Sequence, residues 1–199
     1  MSPALIRQQI VENMRGFDRV ASTRAQTPAA VAVVVVVDDR VPSVPIFQRP
    51  LNMSRHPGQM ALPGGKVHQG EGTVECAIRE VREELGIVVD GADVLGLLDD
   101  FDTRSGFTIS PVVIWSGVGV NEVQPSASEV FRLFVIGIPE LRETASVATA
   151  GASDEFSMRF REVEVFAPTA AILYQFSEVA LDGRSCRVSD FYQPPFTHR

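Results

Sequence analysis

Nine consecutive apolar residues, Ala29 to Val37 (AAVAVVVVV), constrain the fold more than any other stretch. The run is far too short to cross a membrane as a helix, and its β-branched valines favour a strand. A strand that is apolar at every position, rather than at alternate ones, has to be covered on both faces. The rest of the chain must therefore supply layers on each side of a sheet. Asp38, Asp39 and Arg40 turn the chain. A second, shorter strand follows over Val44–Arg49, where Pro42 and Pro45 predict an edge position or irregular pairing.

The covering elements can be read from periodicity. Residues 3–16 place Ile6, Ile10 and Met14 on one helical face. Val74, Ala77, Ile78, Val81 and Leu85 recur at helical spacing, and Gly86 ends that helix as a C-terminal glycine should. Its start is expected near Gly72 or Thr73, with Thr73 as a candidate N-cap. Strands are expected over Val88–Leu98 and Phe107–Val118, joined by an acidic turn, Asp99-Asp100-Phe101-Asp102. Another is expected over Phe131–Ile138, followed by a turn at Pro139–Leu141. Thr144–Asp154 has the small, polar composition of a mobile loop. Met158–Phe166 alternates imperfectly as a strand, and Pro168 opens a C-terminal helix, about 168–178, as its first residue. Neither a repeat nor a domain linker interrupts residues 1–199, so the sequence predicts one α+β domain.

The helix that ends at Gly86 carries the chemistry. At about 100° per residue, Glu80, Glu83 and Glu84 fall together on one flank of its apolar face, and Arg79 and Arg82 on the other. Glu80 and Glu84 are like charges at i, i+4, which disfavours the helix unless something offsets them. Arg79 can reach Glu83 at the same spacing. Two readings follow: a solvated charged face, or a cluster of hard oxygen ligands that suits Mg²⁺ or Mn²⁺ and leaves room for phosphate oxygens.

Spacing favours the second reading. Gly65, Glu71, Arg79-Glu80-Val81, Glu83-Glu84 and Gly86-Ile87 stand at the offsets of the Nudix box, so residues 65–87 resemble that motif at every constrained position. The resemblance implies an α/β/α sandwich with a mixed β-sheet core. It also implies Mg²⁺- or Mn²⁺-dependent hydrolysis of a nucleoside diphosphate linked to another moiety. Glu80, Glu83 and Glu84, with the carbonyl of Gly64 or Gly65, would then hold metal, and Arg79 would orient the glutamates. Glu71 would support Arg79 or its loop. The general base would be Glu80 or a glutamate from a later loop, either Glu129 or Glu155.

The segment before the box adds a finer resemblance. Ile46-Phe47-Gln48-Arg49, Arg55-His56-Pro57-Gly58-Gln59 and Leu62-Pro63-Gly64-Gly65 are similar to the signature of the coenzyme A pyrophosphatase branch. So are Ser105–Val113 and Ala167–Leu173. The sequence departs from that signature at Ser54, Pro50, Leu62 and Arg132, and the arginine expected at position 54 stands one place later. The branch implies coenzyme A or a derivative as substrate, with Arg49, Arg55 and His56 as substrate-binding residues. ADP-ribose, another dinucleotide or a nucleoside triphosphate is the alternative, and a Nudix-fold module without catalysis is a third reading. His56 could equally order its own loop, and the arginines could be ordinary surface residues. His68 is expected in solvent, and Trp115 and Phe107 in the core.

Composition limits the partners. Eighteen Lys and Arg against 25 Asp and Glu leave a net charge of −7. That argues against broad binding to nucleic acid or an anionic membrane. A phosphate substrate must instead be received by metal and a few local cations. Two cysteines, Cys76 and Cys186, make no disulfide framework. Charged residues interrupt the apolar N-terminal candidates for a signal peptide, so a cytoplasmic location is expected. Apolar residues in the first helix and the C-terminal stretch, beyond what a small sandwich must bury, point to a homodimer.

Overall fold

A computed structural model of the chain describes residues 2–24, 26–53, 56–147, 156–189 and 191. In chain order, α1 (Pro3–Arg15) precedes β1 (Thr27–Asp38), β2 (Val41–Gln48), β3 (Met60–Ala61) and β4 (Gly64–Lys66). The box helix α2 (Thr73–Leu85) follows, then β5 (Val94–Leu97), β6 (Phe101–Asp102), β7 (Phe107–Gly119) and β8 (Arg132–Gly137). The described chain continues through α3 (Ile138–Val147), β9 (Ser157–Arg159), β10 (Glu164–Phe166) and α4 (Thr169–Gln175). Strands β1 to β8 form one mixed sheet, in which β1 and β7 run parallel and the other pairs are antiparallel.

β1 is covered on both faces, as its unbroken apolar run requires. Ala30, Ala32, Val34 and Val36 pack on Cys76, Ala77, Val81 and Leu85 of α2. Val33 and Val35 face the opposite way, into a larger core built from α1, α3 and α4. Each of Val33 to Val36 is fully buried, and each contributes roughly 1.5–3 kcal/mol relative to an exposed side chain. The result is the expected α/β/α sandwich. Ile6, Ile10 and Met14 of α1 are buried within this same core. The apolar face of α1, one of the two stretches that suggested a homodimer, is thus covered inside the chain; most of the other, residues 192–199, lies outside the described residues.

β2 is not an edge strand. It pairs with β1 only over Val41–Ser43 and with β8 over Ser43–Gln48. Pro42 therefore has a registered neighbour on one side and Pro45 on the other, so neither position needs a donor toward both flanks. As β2 swings away to β8, β4 takes its place beside β1 over Ala29–Val31. That split between β1 and β2 lies next to the glycines that begin the box.

Other expectations need correction. Residues 86–90 belong to no strand and lead into a short 3-10 turn at Gly91–Asp93, so only Val94–Leu97 is strand. The acidic turn is a buried anchor: Asp99 and Asp100 receive Val20 N–H, Ser22 N–H and the Arg19 and Arg187 guanidinium groups, and Phe101–Asp102 pairs with β7. The Pro139–Leu141 turn is the start of α3, where proline at the second position is tolerated. Ile138, Leu141, Thr144 and Ala145 are its buried face. Residues 144–147 of the predicted loop lie in this helix, and residues 148–154 lie outside the described residues. Met158–Phe166 is a hairpin of two short strands, β9 and β10, and not one strand. Pro168 stands just before α4 instead of within it, and the helix continues as a wider turn over Phe176–Leu181. No helix among the described residues is long and apolar enough to cross a membrane.

Candidate active site

Helix α2 begins after Gly72, which has no capping side chain, so Thr73 is the first helical residue and not the cap. Gly86 ends it with φ +68°, and its N–H donates to Arg82 O at 3.0 Å. Between these ends, the flank predicted to be acidic meets β4. Glu84 is only 4% exposed. Its Oε2 accepts from Gly64 N–H at 2.9 Å, and its Oε1 lies 3.9 Å from Arg49 Nη1. Burial pushes the Glu84 carboxyl up to about 8, more than the Gly64 N–H lowers it. A buried carboxylate at that position is not a solvated face.

Glu80 lies directly against Gly65. A Cβ on Gly65 would be driven into Glu80 Oε1, so the bare Cα is what admits the carboxylate. Burial also raises the Glu80 carboxyl. Arg79 ties the cluster together. Its Nη1 donates to Glu80 Oε1 at 2.7 Å and to Glu83 Oε2 at 3.0 Å. Its Nε and Nη2 donate to the two oxygens of Glu71 at 2.8 and 3.1 Å, a bidentate pairing, and Nη2 also reaches Lys66 O at 3.2 Å. These bonds, Arg79's first, hold the Glu71 carboxyl down to about 2. The expected support of Arg79 by Glu71 is therefore present.

Glu129 approaches the same flank from the far end. Gln124 and Ser126 donate their N–H groups to Leu85 O and Glu84 O, at 2.8 and 2.9 Å. The segment after β7 thus serves as the C-terminal cap of α2. Glu129 N–H and Val130 N–H in turn donate to Ser126 O. Burial is the chief cause that raises Glu80 and Glu84, and the negative charge of Glu129 adds a minor push in the same direction to each. Glu155, the other predicted outside base, lies outside the described residues.

A cleft of about 530 Å³ opens where β1 and β2 separate. Gly64, Gly65 and Lys66 form its wall toward the box, and Arg49 and His56 contribute from the loop before it. Phe107 and Ile109 of β7, and Phe166 and Pro168, also line it. Arg49 thus lies between the cleft and Glu84, with its Nε buried and without a hydrogen-bond partner. His56 is half-buried with φ +52°. Arg55 lies outside the described residues. His68 is exposed, as expected. Trp115 is buried in the core, whereas Phe107 is half-buried on the cleft, contrary to its expected place. Lys66 was not singled out by sequence. Only its position immediately after Gly65 could have marked it.

The donor chemistry suits a hard divalent cation: carboxylates at Glu80, Glu83 and Glu84, and the main-chain carbonyl of Gly65, the residue against which Glu80 lies. Among the described residues no three His, Cys, Asp or Glu side chains converge as a cation cluster. Glu84 instead turns to Gly64 N–H, while Glu80 and Glu83 share Arg79. The residues fit the group by type and by the crowding of negative charge, which a cation would relieve.

Comparison with known proteins agrees with this geometry. The sequence model of the NUDIX domain matches residues 26–179. A relative described as an uncharacterized Nudix hydrolase NudL, from Pectobacterium atrosepticum, is 31% identical over 118 residues, which are 58% of this chain and 60% of the relative. The NudL of Klebsiella aerogenes is 38% identical over 89 residues, 44% of this chain and 73% of that protein. The crystal structure of a NUDIX hydrolase from Alicyclobacillus acidocaldarius covers 80% of this chain and 95% of its own, with a TM-score of 0.51 at 16% identity. That structural likeness concerns the fold.

Proposed function

The chain belongs to the NUDIX domain family, and from that premise we propose that it hydrolyses the pyrophosphate bond of a nucleoside diphosphate linked to another moiety. The observation that carries this reading is the contact between cleft and box: Gly64 and Gly65 line the cleft on one side and hold Glu84 and Glu80 on the other. A diphosphate lying in the cleft would meet the carboxylate flank at these two glycines. Proteins of this family generally use divalent metal ions, and Glu80, Glu83, Glu84 and the Gly65 carbonyl are the residues that would hold Mg²⁺ or Mn²⁺ here. Bound there, such a cation would neutralise the diphosphate and make a nearby water more acidic.

The chain's own residues divide the remaining work. Arg79 fixes Glu80 and Glu83 and is itself fixed by Glu71. Arg49, with an unpartnered Nε between Glu84 and the cleft, takes a diphosphate oxygen. His56 borders the same end of the cleft. Glu129 accepts the proton of the attacking water, whose oxygen forms the new bond to phosphorus. The bridging P–O bond breaks, and the bridging oxygen leaves on the other phosphate.

Coenzyme A or a derivative is the proposed substrate. The reading is supported by the signature residues Arg49, His56 and Pro63–Gly65, and by a cleft of the size that small-molecule sites occupy. The test is a panel of coenzyme A, ADP-ribose, dinucleoside polyphosphates and nucleoside triphosphates with Mg²⁺ or Mn²⁺, with products identified by mass. Coenzyme A should yield adenosine 3′,5′-bisphosphate and phosphopantetheine. Turnover of ADP-ribose but not coenzyme A would shift the substrate to the alternative that Ser54 keeps open.

A further inference from the structure

Lys66 joins the box to the cleft. Its main chain is held firmly: Lys66 O accepts from Arg79 Nη2 at 3.2 Å and from Cys76 Sγ at 3.4 Å, and the residue pairs with Ala29 of β1. Its side chain is exposed and makes no ion pair among the described residues. Instead Nζ rests 5.4 Å from the centroid of the Phe107 ring. On the other side of β1, Thr27 is level with Phe107 and Ala29 with Ile109, so the two side chains reach each other past one strand. Phe107 is fixed by Thr103: its N–H donates to Thr103 Oγ1 at 2.9 Å, and its carbonyl accepts from Thr103 N–H at 2.7 Å.

An aromatic ring on an anchored stretch of main chain therefore carries a movable ammonium group. An exposed cation–π contact is weak, and a phosphate would readily draw the ammonium away. The other charges on this cleft have other work. Arg49, 3.9 Å from Glu84, is assigned to the reacting diphosphate, and Glu164 accepts from Arg159 at 2.8 Å and from Ser157 at 2.9 Å. In a chain of net charge −7, a second anionic group on the substrate needs a cation of its own.

We infer that Lys66 and Phe107 form a nucleotide-selecting subsite: Phe107 stacks the base, and Lys66 pairs with a phosphate monoester on the nucleotide, separate from the diphosphate that reacts at the box. The inference rests on the proposed reading in taking a nucleoside diphosphate conjugate as substrate, and it adds which conjugate is preferred. The pair acts in binding and takes no part in bond cleavage.

The test needs no turnover, so it is separate from the hydrolysis panel. Adenosine 3′,5′-bisphosphate and adenosine 5′-monophosphate are titrated calorimetrically into the protein in Mg²⁺. Neither has a diphosphate to hydrolyse. The unaltered protein should bind the bisphosphate about tenfold or more tightly, the scale of one charged contact. Lys66→Met should bring the two nucleotides to parity, and Lys66→Arg should keep the preference. Phe107→Leu should weaken both by a similar factor, with its melting temperature confirming the fold. An unaltered protein that binds neither nucleotide, or binds both equally, overturns the inference. So does a Lys66→Met protein that keeps the preference or loses affinity for both alike, and a Phe107→Leu protein unchanged toward both removes the stacking role.

Discussion

The carboxylate of Glu80 occupies the space that a side chain on Gly65 would need. The neighbouring glycine differs in kind. A Cβ on Gly64 would come within 2.6 Å of Ala30 O, on the backbone of β1. A flexible carboxylate can move aside, whereas a strand backbone cannot without loss of pairing. Gly65→Ala is therefore expected to melt near the unaltered protein but to lose about a hundredfold in kcat through displacement of Glu80. Gly64→Ala should lower the melting temperature markedly. Thermal melts beside initial rates decide the matter; equal loss of stability in both variants would refute the distinction.

Glu84 is the most buried of the three box glutamates and the one tied directly to the cleft wall. Glu84→Gln keeps an oxygen acceptor for Gly64 N–H but removes the charge. The fold should persist while kcat falls by roughly a hundredfold or more, the scale of several kcal/mol of lost cation stabilisation. Mn²⁺ binding followed by electron paramagnetic resonance should weaken in parallel. Unaltered turnover with unaltered Mn²⁺ binding would take Glu84 out of the site.

The parts legible in sequence are those written locally. The acidic flank of α2 follows from spacing within thirteen residues, and the two-faced burial of β1 follows from its composition. The contact of Arg79 with Glu83 was visible as i, i+4. What sequence missed depends on distant pairing. Lys66 meets Phe107 only because β4 and β7 lie on opposite sides of β1. Asp99 and Asp100 read only as an acidic turn, because their partners, Arg19 and Arg187, come from far along the chain. α3 is a different kind of miss. Ile138, Leu141 and Ala145 recur at helical spacing, but Pro139 and the polar residues around them mask the period.

Glu71 carries a pH prediction. Its carboxyl is held down to about 2, chiefly by the hydrogen bonds from Arg79 and then by His68 N–H, from an ordinary value of 4.5. An acid with a lower pKa in the folded state stabilises the fold above the unfolded value, and that share fades as pH falls toward the folded value. The melting-temperature gap between the unaltered protein and Glu71→Gln should therefore be full above about pH 5 and narrow steadily toward pH 2. Activity at neutral pH should drop about tenfold, since Arg79 loses half of its bidentate hold. A gap that stays constant down to pH 2.5 would mean that the pairing does not set the Glu71 charge.

Glu129 offers the clearest separation of roles. Its segment is tied to the carboxylate helix, because Gln124 and Ser126 cap the last turn of α2 through its carbonyls, so its position is coupled to the helix that carries Glu80 and Glu84. If it accepts the proton of the attacking water, Glu129→Gln should lower kcat by about a hundredfold, within the range of general-base catalysis, and leave KM nearly unchanged. Mn²⁺ affinity should stay within about threefold, because Glu80, Glu83 and Glu84 remain; a metal ligand would instead lose affinity and rate together. Gly86→Ala supplies the structural counterpart. A side chain at φ +68° would be strained and would press on Gln124 O, loosening the cap that places Glu129. It should lower kcat in the same direction, and combining it with Glu129→Gln should add little further loss of rate, since both act through one group. Full additivity of the two losses would separate the cap from the base, and unchanged turnover in Glu129→Gln would assign the proton to another glutamate.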